Sequence, residues 1–233
     1  MTALQFSIGA VNDLHDAPRD GGRRPPKPIP AGLVRSRTAA RVAAIAAVVG
    51  LGLALLSGPR AAAVAGLGLV LGYVYDLGLS RTVWSWAPLA LALPLVPVFA
   101  WIGGVGSVPP AVVELVPVAM LAGMGLAIGN SLADLAADAA AGSSSIARRW
   151  GDRRAWVVHA LALSAAVGLS IWQLPPSPSG EGVAAMLGGS CTIALGGLLL
   201  ATRAPARRRA AWALEAMGVA VLGVGWFMVV TLR

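Results

Sequence analysis

The chain has 233 residues, of which 57% are hydrophobic and 12% charged, and its mean hydropathy is +0.76. This composition excludes an ordinary soluble domain and indicates a polytopic membrane protein. The net charge of +8 would suit nucleic acid, but the basic residues cluster between apolar runs, so we predict a lipid bilayer partner and no nucleic acid. Cys191 is the single cysteine, which excludes an internal disulfide.

The first 11 residues are apolar but too few to cross a membrane. A helix of this length extends about 16 Å, roughly half the thickness of the hydrocarbon core. No basic segment precedes it, so it does not match a secretory signal peptide. We therefore expect the last half of a transmembrane helix here, followed by a loop.

An acidic segment, residues 12–32, begins where this apolar run ends. Asn12 is followed by Asp13, Asp16 and Asp20. The chain has only 10 acidic residues, and five of them lie in this segment and in a second one downstream. Carboxylates at the ends of membrane helices are costly, so they indicate a function. Basic side chains that could contact phosphate oxygens come next, namely Arg23, Arg24 and Lys27.

Seven apolar stretches long enough to span a membrane follow. We predict spans at residues 39–57, 61–79, 86–103, 111–133, 155–173, 182–202 and 210–231. The loop before the first span and the loops after the fourth and sixth are strongly basic, those after the third and fifth have no basic residue, and the two connections at Arg60 and Arg81 have one Arg each. By the positive-inside rule the basic loops face the cytoplasm. This places both acidic segments on the cytoplasmic side of a membrane, and the Ala-, Arg- and Gly-rich composition favours a bacterial cell membrane.

The second acidic segment, residues 130–142, repeats the spacing of the first. Asn130 is followed at steps of four by Asp134 and Asp138. Residues four apart share one face of a helix, where two carboxylates repel each other by a few tenths of a kcal/mol. A divalent cation relieves that repulsion, and Mg²⁺ prefers one or two carboxylates together with water and phosphate oxygens. We predict that the two clusters hold Mg²⁺ against a diphosphate.

Two motifs now resemble a known family, the UbiA superfamily of intramembrane prenyltransferases. The segment from Asn12 to Gly32 is similar to the first Asp-rich motif of that family. It has the pattern N-D-x-x-D-x-x-x-D followed by a basic residue, here Lys27, and by P-I-P-x-G. D-x-x-x-D-x-x-x-G, which begins at Asp134, is similar to the family's second. Ser131 stands where the second motif often has another Asp.

A third element, YDLGLSRT, resembles the family motif that contains Tyr and a Lys/Arg pair. Here it supplies Tyr75, Asp76 and Arg81, with Ser80 where Lys is common. The resemblance implies that Tyr75 contacts the diphosphate. It also implies that Arg81 contacts phosphate and that Asp76 assists cation formation or deprotonates the acceptor. Pairing of Asp76 with Arg81 is an equally weighted alternative.

The resemblance implies an all-α bundle of transmembrane helices around a central cavity. The family usually has nine helices, so residues 1–233 would form one prenyltransferase-like domain that lacks the first helix and most of the second. The implied activity is transfer of a polyprenyl group from a prenyl diphosphate to a small aromatic or quinone-precursor acceptor. The implied site consists of Mg²⁺ ligands (Asp13, Asp16, Asp20, Asp134, Asp138), diphosphate contacts (Asn12, Arg23, Arg24, Lys27, Tyr75, Asn130) and catalytic residues (Asp76, Arg81).

Other functions remain open at this point. A membrane transporter would also carry acids near the membrane, but it would not need two Asn-headed clusters with adjacent cations. A CDP-alcohol phosphotransferase needs D-G-x-x-A-R, which the chain lacks. A cyclase or hydrolase on the same fold and a non-catalytic truncated relative both remain possible. We interpret Arg203 and Arg207 to Arg209 as topology signals and His159 as polar packing.

Overall fold

The computed structural model describes residues 1–19, 21, 27–140, 142, 144–202 and 204–231, and every regular element within these ranges is a helix. Eleven α-helices are found there, with one 3-10 turn at Leu79–Arg81. Their bounds are α1 Thr2–Asp16, α2 Ser36–Leu56, α3 Pro59–Leu77, α4 Ala87–Ala92, α5 Leu95–Val105, α6 Pro110–Ala133, α7 Leu135–Ala140, α8 Ile146–Trp150, α9 Asp152–Trp172, α10 Gly180–Leu200 and α11 Pro205–Thr231. The predicted all-α class is confirmed.

Seven segments are long and apolar enough to cross a membrane, which confirms the predicted number. They are Ser36–Leu56, Pro59–Leu77, Ala87–Val105, Pro110–Ala133, Asp152–Trp172, Gly180–Leu200 and Pro205–Val230. Their outer faces are strongly apolar. On α2, for example, Ile45 is 64% exposed and Val48 is 72% exposed. Such surfaces suit lipid rather than water, so the chain is an integral membrane protein.

The predicted span at residues 86–103 is found as Ala87–Val105, but the structure divides it into two helices. Helix α4 ends at Ala92 and α5 begins at Leu95. Pro94 lies between them and has no backbone N–H to continue the helical hydrogen bonds. The apolar run is continuous across this break, so hydropathy alone did not locate it.

The chain forms two compact units. The first contains Met1–Ser80 and Leu95–Pro109. In it, α1 packs on α2 and α3 around Leu4, Ala54, Ala65 and Leu69. Polar contacts join the same helices, because the Ser7 hydroxyl donates to the carbonyl of Ala43 at 2.7 Å and therefore accepts from the Tyr73 hydroxyl, also at 2.7 Å.

The second unit contains Arg81–Pro94 and Pro110–Arg233. Its helix α6 packs on α9, and α10 packs on α11. The core on the side of the second acidic segment includes Ile128, Leu132, Ile146 and Leu200. The adjoining core includes Leu163, Met186, Leu222 and Trp226.

Glycine allows the backbones of α10 and α11 to touch. A Cβ added at Gly189 would lie 2.6 Å from the Leu222 nitrogen and 2.7 Å from the Gly218 carbonyl oxygen. We expect Gly189→Ala to lower the unfolding free energy by about 1–3 kcal/mol, because the helices must separate to admit the methyl group.

Thermal unfolding of the purified protein in detergent measures this effect. Gly188→Ala is the matched control, since nothing lies within 4 Å of its added Cβ. The control should be neutral or gain up to about 1 kcal/mol of helix propensity. An unchanged unfolding temperature for Gly189→Ala would contradict the close packing of the two backbones.

Candidate functional site

The first acidic cluster lies on the last turns of α1, within the first unit. Asn12, Asp13 and Asp16 are all helical, so the expectation that a loop begins at residue 12 is wrong. Hydropathy marks the end of the apolar run, whereas the helix continues to Asp16. Lys27 returns to this turn, and its Nζ lies 3.0 Å from Asp13 Oδ1. The predicted ligand Asp20 and the predicted phosphate contacts Arg23 and Arg24 lie outside the described residues.

Asp76 joins this cluster from the last turn of α3. Its Oδ1 accepts a hydrogen bond from Asn12 Nδ2 at 3.1 Å, and its side chain is 4% exposed. The other oxygen, Oδ2, is buried and has no hydrogen-bond partner among the described residues. The neighbouring Tyr75 is partly exposed. The structure therefore brings together Asn12, Asp13 and Asp76, which the sequence assigned to three different roles.

A groove of about 530 Å³ borders this cluster on α1 and α2. Half of its lining residues are polar, and these lie at both ends of the groove, with apolar residues and glycine between them. The lining residues are Thr2, Gln5, Phe6, Gly9, Ala10, Asn12, Asp13 and Val42.

The second acidic cluster lies where α6 ends and α7 begins, within the second unit. The Asp134 N–H donates to the Asn130 carbonyl at 3.0 Å, and the Asp138 N–H donates to the Asp134 carbonyl at 2.8 Å. These i to i+4 bonds continue the helical spacing across the junction, which agrees with the expectation of one shared face. Ser131 is buried and its hydroxyl accepts the Ala147 N–H at 3.2 Å, so this side chain connects α6 to α8.

Two arginines reach the second cluster. Arg209 Nε on α11 lies 3.6 Å from Asp134 Oδ1, and Arg148 Nη1 donates to the Asp138 carbonyl oxygen at 3.4 Å. Interpreting Arg209 as a topology signal alone was therefore incomplete. Arg209 is far from Asp134 in the sequence, so no local sequence pattern could have revealed this contact.

Arg208, next to Arg209, fixes the start of α11. Its side chain is 7% exposed and donates to the carbonyl oxygens of Thr202 and Leu132, at 2.6 and 3.2 Å. Its Nη2 also pairs with the Asp152 carboxylate at 2.8–2.9 Å. The arginine thus joins α6, α9 and α11 and holds the helix that carries Arg209.

Arg81 is the last residue of the 3-10 turn and the first residue of the second unit. Its carbonyl oxygen accepts a hydrogen bond from the Ser144 hydroxyl at 2.7 Å. Ser144 belongs to the hydroxyl run that follows the second acidic cluster. The third sequence element therefore contacts the second motif through the main chain of Arg81.

The donor set fits Mg²⁺ that is shared with a substrate. In the part of the chain that the structure describes, no group of three or more His, Cys, Asp or Glu side chains is close enough to enclose a metal. Each acidic segment contributes two described carboxylates that are predicted metal ligands, Asp13 with Asp16 and Asp134 with Asp138. Mg²⁺ is commonly bound by one or two carboxylates, with water and substrate phosphates completing its octahedron, so neither cluster needs a protein-only cage.

Fold and side chains together define a polytopic helical membrane protein with two carboxylate clusters, each paired with a basic side chain. The model of the UbiA prenyltransferase family matches residues 1–230. The chain belongs to this family.

One curated relative is a digeranylgeranylglyceryl phosphate synthase from Methanopyrus kandleri, which is 31% identical over 174 residues. The aligned segment is 75% of this chain and 62% of the relative, so the chain spans less than two thirds of that protein's length.

Two solved structures share the fold. A UbiA homologue from Aeropyrum pernix K1, determined in the apo state, superposes with a TM-score of 0.70 at 22% identity, covering 96% of this chain and 84% of that one. A UbiA homologue from Archaeoglobus fulgidus bound to GPP and Mg²⁺ gives a TM-score of 0.68 at 18% identity, covering 97% of this chain and 87% of that one.

Proposed function

We propose that this chain catalyses the Mg²⁺-dependent transfer of a polyprenyl group from a prenyl diphosphate to a small acceptor within the membrane. The observation that carries the proposal is the repeated pairing of an Asn-headed carboxylate cluster with a cation, Lys27 with Asp13 and Arg209 with Asp134. Family membership supports it, as does the Archaeoglobus homologue bound to GPP and Mg²⁺. Residues 1–233 would act as one membrane-embedded prenyltransferase domain.

Each cluster would bind Mg²⁺ together with diphosphate oxygens. Mg²⁺ bound there would stabilise the negative charge that develops on the departing diphosphate. The carboxylates would hold it, and the amides of Asn12 and Asn130 would orient the carboxylates or the diphosphate. The proposed metal ligands are Asp13, Asp16, Asp20, Asp134 and Asp138, and the proposed phosphate contacts are Arg23, Arg24, Lys27, Tyr75, Arg81 and Arg209.

Asp76 is the proposed acid–base residue. Its Oδ2 is buried beside the first cluster and lacks a hydrogen-bond partner among the described residues, so it can accept a proton or stabilise a developing positive charge on the prenyl group. Asn12 holds the other oxygen and so fixes the direction of the carboxylate. The apolar surroundings would limit the access of water to a reactive prenyl cation.

The proposed orientation places both clusters on the cytoplasmic side. The basic residues Arg81, Arg148, Arg153 and Arg154 lie in loops or helix ends on this predicted side, as do Arg207 to Arg209, whereas Arg60 lies one span away from Arg81, on the opposite side. The positive-inside rule assigns such loops to the cytoplasm. The substrate would then enter from the compartment in which prenyl diphosphates and Mg²⁺ are available.

Arg209→Ala is expected to raise the KM for prenyl diphosphate by about 10-fold or more, because a charge-assisted hydrogen bond contributes about 1.5–3 kcal/mol. Arg207→Ala is the matched control, since Arg207 is exposed on the same turn. Steady-state kinetics on both variants measures the difference. Equal KM values for the two variants would exclude Arg209 from diphosphate binding.

The purified chain should release diphosphate from geranylgeranyl diphosphate in the presence of Mg²⁺ and stop when EDTA is added. A screen of acceptors then tests the transfer step, with quinone precursors as the proposed class. A glyceryl phosphate is included because the Methanopyrus relative is named for such a product. Prenylated product with either class supports transferase activity. Cyclic or hydrolysed prenyl products without acceptor dependence would replace the proposal with cyclase or hydrolase activity, and no Mg²⁺-dependent binding would overturn it.

A further inference from the structure

A buried histidine–glutamate pair lies in the second unit and has no part in the function proposed above. His159 on α9 and Glu215 on α11 both have side chains that are 0% exposed. Nε2 of His159 lies 2.8 Å from Oε1 of Glu215, and Nδ1 lies 2.8 Å from the carbonyl oxygen of Gly125 on α6. Ionisable residues within membrane spans are rare and usually have a function.

The contacts fix the number of protons that the pair holds. A carbonyl oxygen only accepts, so Nδ1 must carry a hydrogen and donate it to Gly125. One further proton lies between Nε2 and Oε1, either as neutral imidazole with a carboxylic acid or as imidazolium with a carboxylate. The pair has zero net charge in both states, which suits a site without water, because an unpaired buried charge is strongly unfavourable.

Neighbouring glycines leave just enough space for the pair. A Cβ added at Gly129 would lie 2.9 Å from His159 Cε1 and 3.3 Å from Glu215 Oε2, and one added at Gly196 would contact Glu215 Cγ. The pair therefore lies where α6, α9, α10 and α11 meet. Interhelical contacts of small residues and hydrogen bonds are what fix helix positions in a membrane, where apolar packing gives little preference for one register.

The same part of α6 leads directly to the second acidic cluster. Gly129 adjoins Asn130, and Asp134 is one turn further. Two more residues of α11 bind this end of α6, since Trp212 Nε1 donates to the Leu126 carbonyl at 2.9 Å and Arg208 donates to that of Leu132. Asp134 directly follows α6 and Arg209 lies on α11. Any slip of α11 along α6 would therefore change the distance between the Asp134 carboxylate and Arg209.

We infer that His159 and Glu215 are positioning residues for the second acidic cluster. Their shared proton gives a directional bond that sets the register of α9 and α11 against α6, and this register places Asp134 and Asp138 for metal and diphosphate. The inference rests on the proposed function, which assigns those two aspartates to Mg²⁺.

Two substitutions of Glu215 separate hydrogen bonding from volume. Glu215→Gln keeps the shape and can donate an N–H to Nε2 of neutral His159, whereas Glu215→Met keeps the length and removes the bond. The probe is Mn²⁺ with inorganic diphosphate, measured by electron paramagnetic resonance without prenyl substrate. Glu215→Met should bind Mn²⁺ roughly 2–30-fold more weakly, the usual range for a substitution that acts on a site through packed helices, while Glu215→Gln should bind like the wild type.

The outcomes are distinct. If the wild type fails to bind Mn²⁺ with diphosphate, the proposed function fails and the inference falls with it. If the wild type binds and Glu215→Met binds equally well, only the positioning inference is overturned. If Glu215→Met does not fold, Glu215→Asp replaces it, because its side chain is one methylene shorter and withdraws the carboxyl group from His159. This variant is also expected to bind Mn²⁺ more weakly than the wild type. Nitrogen-15 NMR of His159 should show a protonated Nδ1, and an unprotonated Nδ1 would also overturn the inference.

Discussion

Asp134→Asn is expected to lower turnover by about 100-fold or more while the protein remains folded. Asparagine keeps the size and one oxygen of the side chain but removes the negative charge that a divalent cation requires. The same substitution also removes the charge that faces Arg209. Loss of a single preorganised charge contact at a reacting oxygen typically costs about 10²–10³ in kcat. Asp16→Asn, in the first cluster, should have a similar effect.

Diphosphate release from geranylgeranyl diphosphate at saturating Mg²⁺ measures this loss. Glu181→Gln is the matched control, because Glu181 is an exposed acid in the first turn of α10 and belongs to neither cluster. The control should retain full turnover. Full activity in either aspartate variant would remove that cluster from metal and diphosphate binding, and loss of folded protein would be visible as a changed elution profile in detergent.

The fold followed from the sequence wherever a long apolar run determines a helix. All seven spans agree with the predictions within a few residues, because a membrane helix must satisfy its backbone hydrogen bonds internally and bury about 20 apolar residues. The errors occurred where hydropathy does not carry the signal. Pro94 interrupts an apolar run without ending it, and residues 12–16 remain helical although all but Leu14 are polar.

In the site, only the relations between residues close together in the sequence could be predicted. The spacing from Asn130 to Asp138 gave the shared face of the second cluster, because consecutive turns of a helix determine it. The contact of Asn12 with Asp76 joins residues 64 positions apart, and that of His159 with Glu215 joins residues 56 apart. Such pairs depend on which helices pack together and in what register. No periodic pattern in a single sequence specifies which helices pack together. The contacts of Arg209 and Glu215 were therefore found only in the structure.

Asp76→Asn should lower kcat by about 10²–10⁴-fold and leave KM for prenyl diphosphate within a few-fold. Asparagine can still accept the Asn12 amide at the position of Oδ1, so the first cluster keeps its geometry. What is lost is the carboxylate oxygen that would accept a proton or stabilise positive charge, and general acid–base catalysis contributes about this factor. Asp76→Ala provides the comparison, because it removes both the carboxylate and the acceptor for Asn12.

Steady-state kinetics on the two variants separates the two roles of Asp76. If the carboxylate takes part in the chemistry, Asp76→Asn loses kcat alone, and Asp76→Ala loses kcat and also binds substrate more weakly because Asn12 is released. If Asp76 serves only to hold Asn12, Asp76→Asn should retain nearly full turnover, and that result would remove the acid–base role. Ser7→Ala is the control for disturbance of α1, since Ser7 bonds to Ala43 on α2 and Tyr73 on α3 and lies away from Asn12 and Asp76. If Asp76→Asn retains as much turnover as Ser7→Ala, the role of Asp76 is to hold Asn12.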